Sequence, residues 1–226
     1  MNSDYCIATL SCGEKYNTFL RDNLLSNKSL ASEPTEIFVT TDDEEGFASY
    51  KDRVKTFNFN PEWRIDTRRG RSRLWFNYHL KRHAIRNALK AGYTKILYVD
   101  SDIEILTWDK DFLIKKDRGF WFRTFLNKNQ YMDKYNFYSE AFGANLWHYY
   151  RPVSEKLIYI NSEPDKINGF LNTWEHLDIM SKDKVNPYSE GYEILMACRF
   201  NGAVVNKYRP DPFKGDRKMM TDTHIK

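Results

Sequence analysis

Apolar runs and apolar periodicities alternate along the first hundred residues of the chain. Residues 5–10 form a short hydrophobic run of strand length, after which Tyr16, Phe19, Leu20 and Leu24 recur at helical spacing. Residues 36–40 read as a second strand that closes on Thr41, Asp42 and Asp43, and residues 54–57 as a third. Leu74, Tyr78, Ile85 and Leu89 mark one face of a longer helix that Gly92 ends, and residues 96–99 make another unbroken hydrophobic run. Strands without polar alternation are covered on both faces, as in a parallel sheet between layers of helices. The fold class expected is therefore α/β, a Rossmann-like and mainly parallel sheet with right-handed crossovers.

Past Asp102 the order loosens. Residues 119–123 and 141–147 read as strands, 167–180 and 190–199 as helices, and 203–205 as a last short strand. The aromatic and amide-rich stretch 125–138 reads as a loop over the site or as an exposed connection. With 226 residues, 41% of them hydrophobic and 16% aromatic, the chain has the material for a large core. No repeat, low-complexity segment or Gly/Pro/Ser-rich linker divides it, so residues 1–226 are expected to form one domain. The first ten residues lack the pattern of a signal peptide, no apolar stretch has transmembrane length, and Cys6, Cys12 and Cys198 lack metal-ligand spacing. The expectation is a cytoplasmic protein with reduced thiols, Cys6 and Cys198 in the core.

The chemistry-bearing motif follows the 96–99 run: Asp100-Ser101-Asp102. Ligands of parallel sheets gather at the carboxyl ends of the strands, and on an extended chain alternate residues project to one side. Two neighbouring carboxylates call for a cation, and an all-oxygen donor set suits a hard ion such as Mn2+ or Mg2+ that completes its shell with water and phosphate. The competing reading is a solvated strand end that caps the next turn.

Charge is the second signal. The formal charge of +4 is modest, but Arg64, Arg68, Arg69, Arg71, Arg73, Lys81, Arg82, Arg86 and Lys90 stand against Asp66 alone between positions 64 and 90. Such a segment is solvated or meets anions, either the phosphates of a small ligand or a nucleic-acid backbone.

Alternating strands and helices that end at a hydrophobic-Asp-x-Asp strand resemble the nucleotide-binding half of GT-A fold glycosyltransferases. Arg73-Leu74-Trp75 leading into a helix, followed by Tyr98-Val99-Asp100-Ser101-Asp102, is similar to the glycogenin-like nucleotide-sugar transferases. The resemblance implies a nucleotide-binding half over 1–105, an acceptor half over 106–226, and transfer from a nucleotide sugar, a UDP-sugar favoured, to a hydroxyl. It implies that Asp102 ligates Mn2+ or Mg2+ and that Asp100 bridges metal and ribose, with Ser101 beside them. It places Thr9, Leu10, Ser11, Tyr16 and Asp42 or Asp43 around the nucleoside and Arg73 at the diphosphate. A late His commonly supplies a third ligand in that family, which corresponds here to His224, with Lys226 as a phosphate partner.

Glycosyl transfer also needs a polar or carboxylate group at the reacting sugar. Glu140, Glu190 and Glu193 are the candidates, Glu190 first; a place in the first turn of a helix capped by Ser189 is the non-catalytic alternative. The acceptor is expected to be a glycan or, if Arg64, Arg68, Arg69, Arg71, Arg82 and Arg86 meet phosphates, a hydroxymethylated base of phage DNA. Readings from other classes are an Asp-x-Asp phosphohydrolase of the haloacid-dehalogenase type and a non-catalytic nucleotide-binding module.

Overall fold

The computed structural model describes residues 4–60, 63–66, 73–123, 132–146, 152–182, 184–185, 190–214 and 218–222. Strand β1 (Cys6–Ser11) leads into α1 (Glu14–Phe19), which runs on as π-helical turns over Leu20–Leu25, and then into the short α2 (Lys28–Ala31). Strands β2 (Ile37–Thr41) and β3 (Val54–Asn58) follow, then a hairpin of β4 (Trp63–Asp66) and β5 (Arg73–Phe76), helix α3 (Lys81–Lys90) and strand β6 (Lys95–Val99). The second half contributes β7 (Ile103–Ile105), α4 (Lys110–Leu113), β8 (Gly119–Phe122), α5 (Met132–Ala141), β9 (Leu157–Asn161), α6 (Pro164–Ser181), α7 (Gly191–Phe200), β10 (Val205–Lys207) and β11 (Met220–Asp222).

Among the described residues, seven strands make one sheet in the order β10-β8-β9-β6-β1-β2-β3. All run the same way except β9, which is antiparallel to both β6 and β8. The expected mixed, mainly parallel α/β sheet is what forms, and strands from both halves of the chain build it. Each central strand is buried on both faces. Ala8, Tyr98, Ile158 and Phe120 pack on one side with α3, α6 and α7, whereas Ile7, Leu97, Tyr159 and Leu20 pack on the other. That division explains the unbroken apolar runs. All three cysteines are buried.

Four expectations need correction. Residues 73–76 are not the start of the helix but the second strand of the β4–β5 hairpin, in the register Asp66↔Arg73, and α3 begins only at Lys81. Leu74 and Tyr78 mimic a helical spacing, but the Trp, Phe and Ile content of 63–66 and 73–76 around a Gly-containing connection is that of a ribbon. Of the stretch 141–147, expected as a strand, residue 147 lies outside the described ones and residues 141–146 form no strand: α5 ends at Ala141, and Gly143 takes the left-handed φ of 62° that closes a helix, with Ala144 N–H donating to Ser139 O at 3.0 Å. The stretch 125–138 is helical from Met132; its residues 125–131 lie outside the described ones. The helix is fixed by Lys134 and Tyr138, which turn inward. Finally, β9 was not expected, although Leu157-Ile158-Tyr159-Ile160 has the same unbroken apolar character as the β6 run.

Candidate functional site

The carboxyl ends of β1, β2 and β6 and the amino end of β9 meet at one edge of the sheet, because β9 alone is reversed. At the β1–α1 junction Gly13 has φ +84°, and its N–H donates to both Asp42 oxygens at 2.9 Å. Asn17 Nδ2 donates to the same carboxylate at 3.1 Å, while Asn17 Oδ1 accepts from Ser11 at 2.7 Å and Thr41 at 3.2 Å. Asp42, itself exposed, thus ties the β1–α1 loop to the end of β2.

Beyond β6 the chain turns at once: Ile103 N–H donates to Asp100 O at 3.1 Å, so the two aspartates sit on a tight turn rather than on extended strand. They consequently meet different cations. Lys81, at the head of α3, contacts both oxygens of Asp100 at 3.0 Å, and Tyr98 donates to Asp100 at 2.8 Å. The same Lys81 ammonium lies 2.7 Å from Glu190 at the head of α7. Glu190 occupies the cap position of α7 but its side chain makes no capping hydrogen bond, so its carboxylate serves Lys81 and not the helix end. Burial alone would lower the Lys81 pKa, but Asp100 and Glu190 raise it well above its usual value, and it stays an ammonium ion.

Glu155, just before β9, joins this group. The absence of a side chain at Gly191 lets the start of α7 close on this segment: a Cβ there would lie 2.0 Å from Val153 O and 3.3 Å from Glu155 Oε2. Burial first, and then the nearby Glu190, push the Glu155 carboxyl up to about 7.

Asp102 meets Lys156 instead. Its Oδ2 is 3.9 Å from Lys156 Nζ, which is also ion-paired with Asp222 at the end of β11. Burial and then Asp100 raise the Asp102 pKa, whereas Lys156 lowers it; the ionised carboxylate is therefore strained at this position and gains from added positive charge. Hard oxygen donors whose ionisation is opposed in this way fit a divalent ion. No cluster of three or more His, Cys, Asp or Glu side chains forms a ready ligand shell among the described residues. The two aspartates would supply part of a shell.

The remaining candidates are dispersed. Ser101 is buried in the Asp100 turn, and Thr9 and Leu10 are buried in β1, whereas Tyr16 is half-buried on α1. Arg73 lies in β5, so the basic residue that heads α3 is Lys81. Glu140 is exposed on α5. Glu193 is not at the surface of the site: it is fully buried, 2.7 Å from Lys134 Nζ and 3.1 Å from the Tyr138 hydroxyl. Arg82 is ion-paired with Asp178 at 3.0 Å and Arg86 with Glu175 at 2.9 Å. Arg64 lies in β4, and Arg68, Arg69, Arg71, His224 and Lys226 fall outside the described residues. Lys81, Glu155 and Lys156 were missed. Lys81 stood in the sequence inside the basic run, and Glu155-Lys156 immediately before the overlooked β9 run.

Solved glycosyltransferases share this architecture. The GlyE glycosyltransferase of Streptococcus pneumoniae TIGR4 aligns over 90% of this chain with a TM-score of 0.54 at 13% identity, and its apo form over 88% with a TM-score of 0.51 at 14% identity. The chain spans less than half of GlyE, 45% and 44% of the two structures. The galactosyltransferase LgtC, solved with donor and acceptor sugar analogs, aligns over 92% of this chain and 73% of its own length, at 15% identity and a TM-score of 0.48. No protein-family model and no curated protein matches the sequence. The fold is the GT-A type. No helix among the described residues is long and apolar enough to cross a membrane.

Proposed function

We propose that this chain is a metal-dependent glycosyltransferase that moves a sugar from a nucleotide-sugar donor, a UDP-sugar favoured, to a hydroxyl acceptor. The observation that carries the reading is the buried contact of Lys81 with both Asp100 and Glu190 at the carboxyl edge of a GT-A sheet. It joins the aspartate turn to a carboxylate from a different helix, the layout a transferase needs when a leaving group and a reacting sugar carbon must be served side by side.

In this reading Asp102 and Asp100, with His224, would hold Mn2+ or Mg2+. When bound, such an ion neutralises the charge that develops on the departing diphosphate. The Asp42-ordered loop between β1 and α1 would form the floor for the nucleoside, with Tyr16 at its border. Glu190, whose position Lys81 sets, would be the carboxylate nearest the reacting sugar, and Lys226 would add positive charge at the phosphates. The acceptor we favour is a glycan or other small hydroxyl compound rather than a DNA base, because Arg82 and Arg86 are already neutralised by Asp178 and Glu175. A phosphohydrolase reading is disfavoured, since the Asp-x-Asp turn follows β6, with β1, β2 and β3 of the same sheet before it in sequence.

The direct test is a panel of nucleotide sugars with Mn2+, followed by release of the nucleoside diphosphate. Release that requires both a divalent ion and Asp102 supports the reading. Phosphomonoester hydrolysis with no sugar-nucleotide turnover overturns it.

A further inference from the structure

The two aspartates have resident cations of different character. Lys81 is enclosed, with 6% of its side chain exposed, whereas Lys156 keeps 26% open to solvent. The backbone fixes Lys156 beside the aspartate turn, since its carbonyl accepts from Asp100 N–H at 3.1 Å. Its ammonium is ion-paired with Asp222 and lies 3.9 Å from Asp102. Strand β11, which Asp222 ends, pairs with β7, which Asp102 leads into, in the register Asp222↔Ile103. One ammonium therefore links the turn that carries Asp102 to the strand that immediately precedes residues 223–226 in sequence.

We propose that Lys156 is a displaceable counter-ion of Asp102: it holds the Asp102 and Asp222 carboxylates together until a divalent cation takes Asp102, and then serves the donor diphosphate as a second positive group. This rests on the metal-dependent transferase reading above. The physical basis is competition and reach. A fixed ammonium about 4 Å from a carboxylate repels a divalent ion approaching the same oxygens, so the ion must displace it. A lysine on a flexible four-carbon stem that is partly solvent-open can swing to a phosphate at low cost, which a lysine enclosed like Lys81 cannot. Diphosphate carries the charge that rewards the move, and an ammonium serves it as a point charge without a fixed fork.

The test uses the full chain, with Mn2+ and an unsubstituted nucleoside diphosphate as probes. Free Mn2+ is followed by electron paramagnetic resonance, and nucleoside diphosphate binding at saturating Mn2+ by calorimetry. In Lys156→Gln, Mn2+ alone should bind about tenfold tighter, and the diphosphate about tenfold weaker, at low ionic strength. Lys156→Arg keeps the charge and should leave Mn2+ affinity near that of the parent. Lys156→Ser gives an independent neutral variant should the Gln protein melt abnormally. Unchanged or weaker Mn2+ binding in both neutral variants overturns the counter-ion role while leaving the metal reading in place. Tighter Mn2+ with unchanged diphosphate affinity overturns the phosphate role. Absence of Mn2+ binding by every protein, the parent included, overturns the metal reading and this inference with it.

Discussion

Lys81 meets Glu190 at 2.7 Å with both side chains nearly closed to solvent, 6% and 1% exposed. The same ammonium serves Asp100, so removing it leaves two carboxylates without their shared cation. Lys81→Met should destabilise the protein by about 3–5 kcal/mol, the usual consequence of breaking a buried ion pair from one side. Urea denaturation of the variant against the parent measures it. A loss below about 1 kcal/mol would show that water reaches the cluster and that Glu190 is not held as described.

Glu155 gives a pH prediction with a definite sign. Its folded pKa is raised, to about 7, by burial and by Glu190, so its stabilising contribution is complete below the carboxyl's ordinary range. That contribution is lost as pH rises from the ordinary carboxyl value to about 7, because the folded state binds the proton more tightly than the unfolded one. Glu155→Gln should therefore be more stable than the parent at pH 8, by about 1–2 kcal/mol, and should lose part of the parent's decline between pH 5 and pH 8. Thermal melts across that range decide it. Identical profiles in the two proteins would remove Glu155 from the cluster.

Asp102 separates chemistry from stability. Burial and Asp100 oppose its ionisation, so Asp102→Asn removes a charge that folding does not favour. Stability should change by no more than about 1 kcal/mol, while donor turnover falls by about a thousandfold and loses its response to Mn2+. Nucleotide-sugar turnover that survives in the variant, or in the parent with excess chelator, would sink the metal mechanism.

The segment after β11 follows a strand whose end is paired opposite Ile103, one residue past Asp102. Removing residues 223–226, which include His224 and Lys226, should weaken the binding of a nucleoside diphosphate with Mn2+ by about tenfold without changing the melting temperature. Equal affinity in the truncated protein would exclude both residues from the site.

Of the six arginines that suggested nucleic acid, Arg82 and Arg86 are ion-paired with acidic partners. At most four remain, so the salt dependence of duplex binding should have a slope no steeper than about −3.6, at about −0.9 for each phosphate neutralised. Charge reversal at Arg68 and Arg69 should leave donor turnover unchanged. A slope of −5 or steeper in the parent would restore DNA as the acceptor.

The sequence by itself determined the first strands of the sheet and the place of its motif. The runs that became β1, β2 and β6 were legible because a strand buried on both faces carries few polar positions, and Asp100-Ser101-Asp102 stood out because two carboxylates directly follow such a run. The hairpin at 73–76 was misread because Leu74 and Tyr78 satisfy a helical spacing equally well, and only pairing with Trp63–Asp66 distinguishes the two. What tertiary structure decided was which charges meet. Lys81, the Glu155-Lys156 pair, Glu190 and Asp222 come from four separate stretches of chain, and the reversed direction of β9 brings its amino end to the edge where β6 ends. Sequence spacing carries no information about such long-range pairings. Glu193, three residues from Glu190, turns into the core to meet Lys134 while Glu190 meets Lys81: Glu190 holds the cap position outside α7 whereas Glu193 lies within its first turn, and the partners each one finds are set by packing.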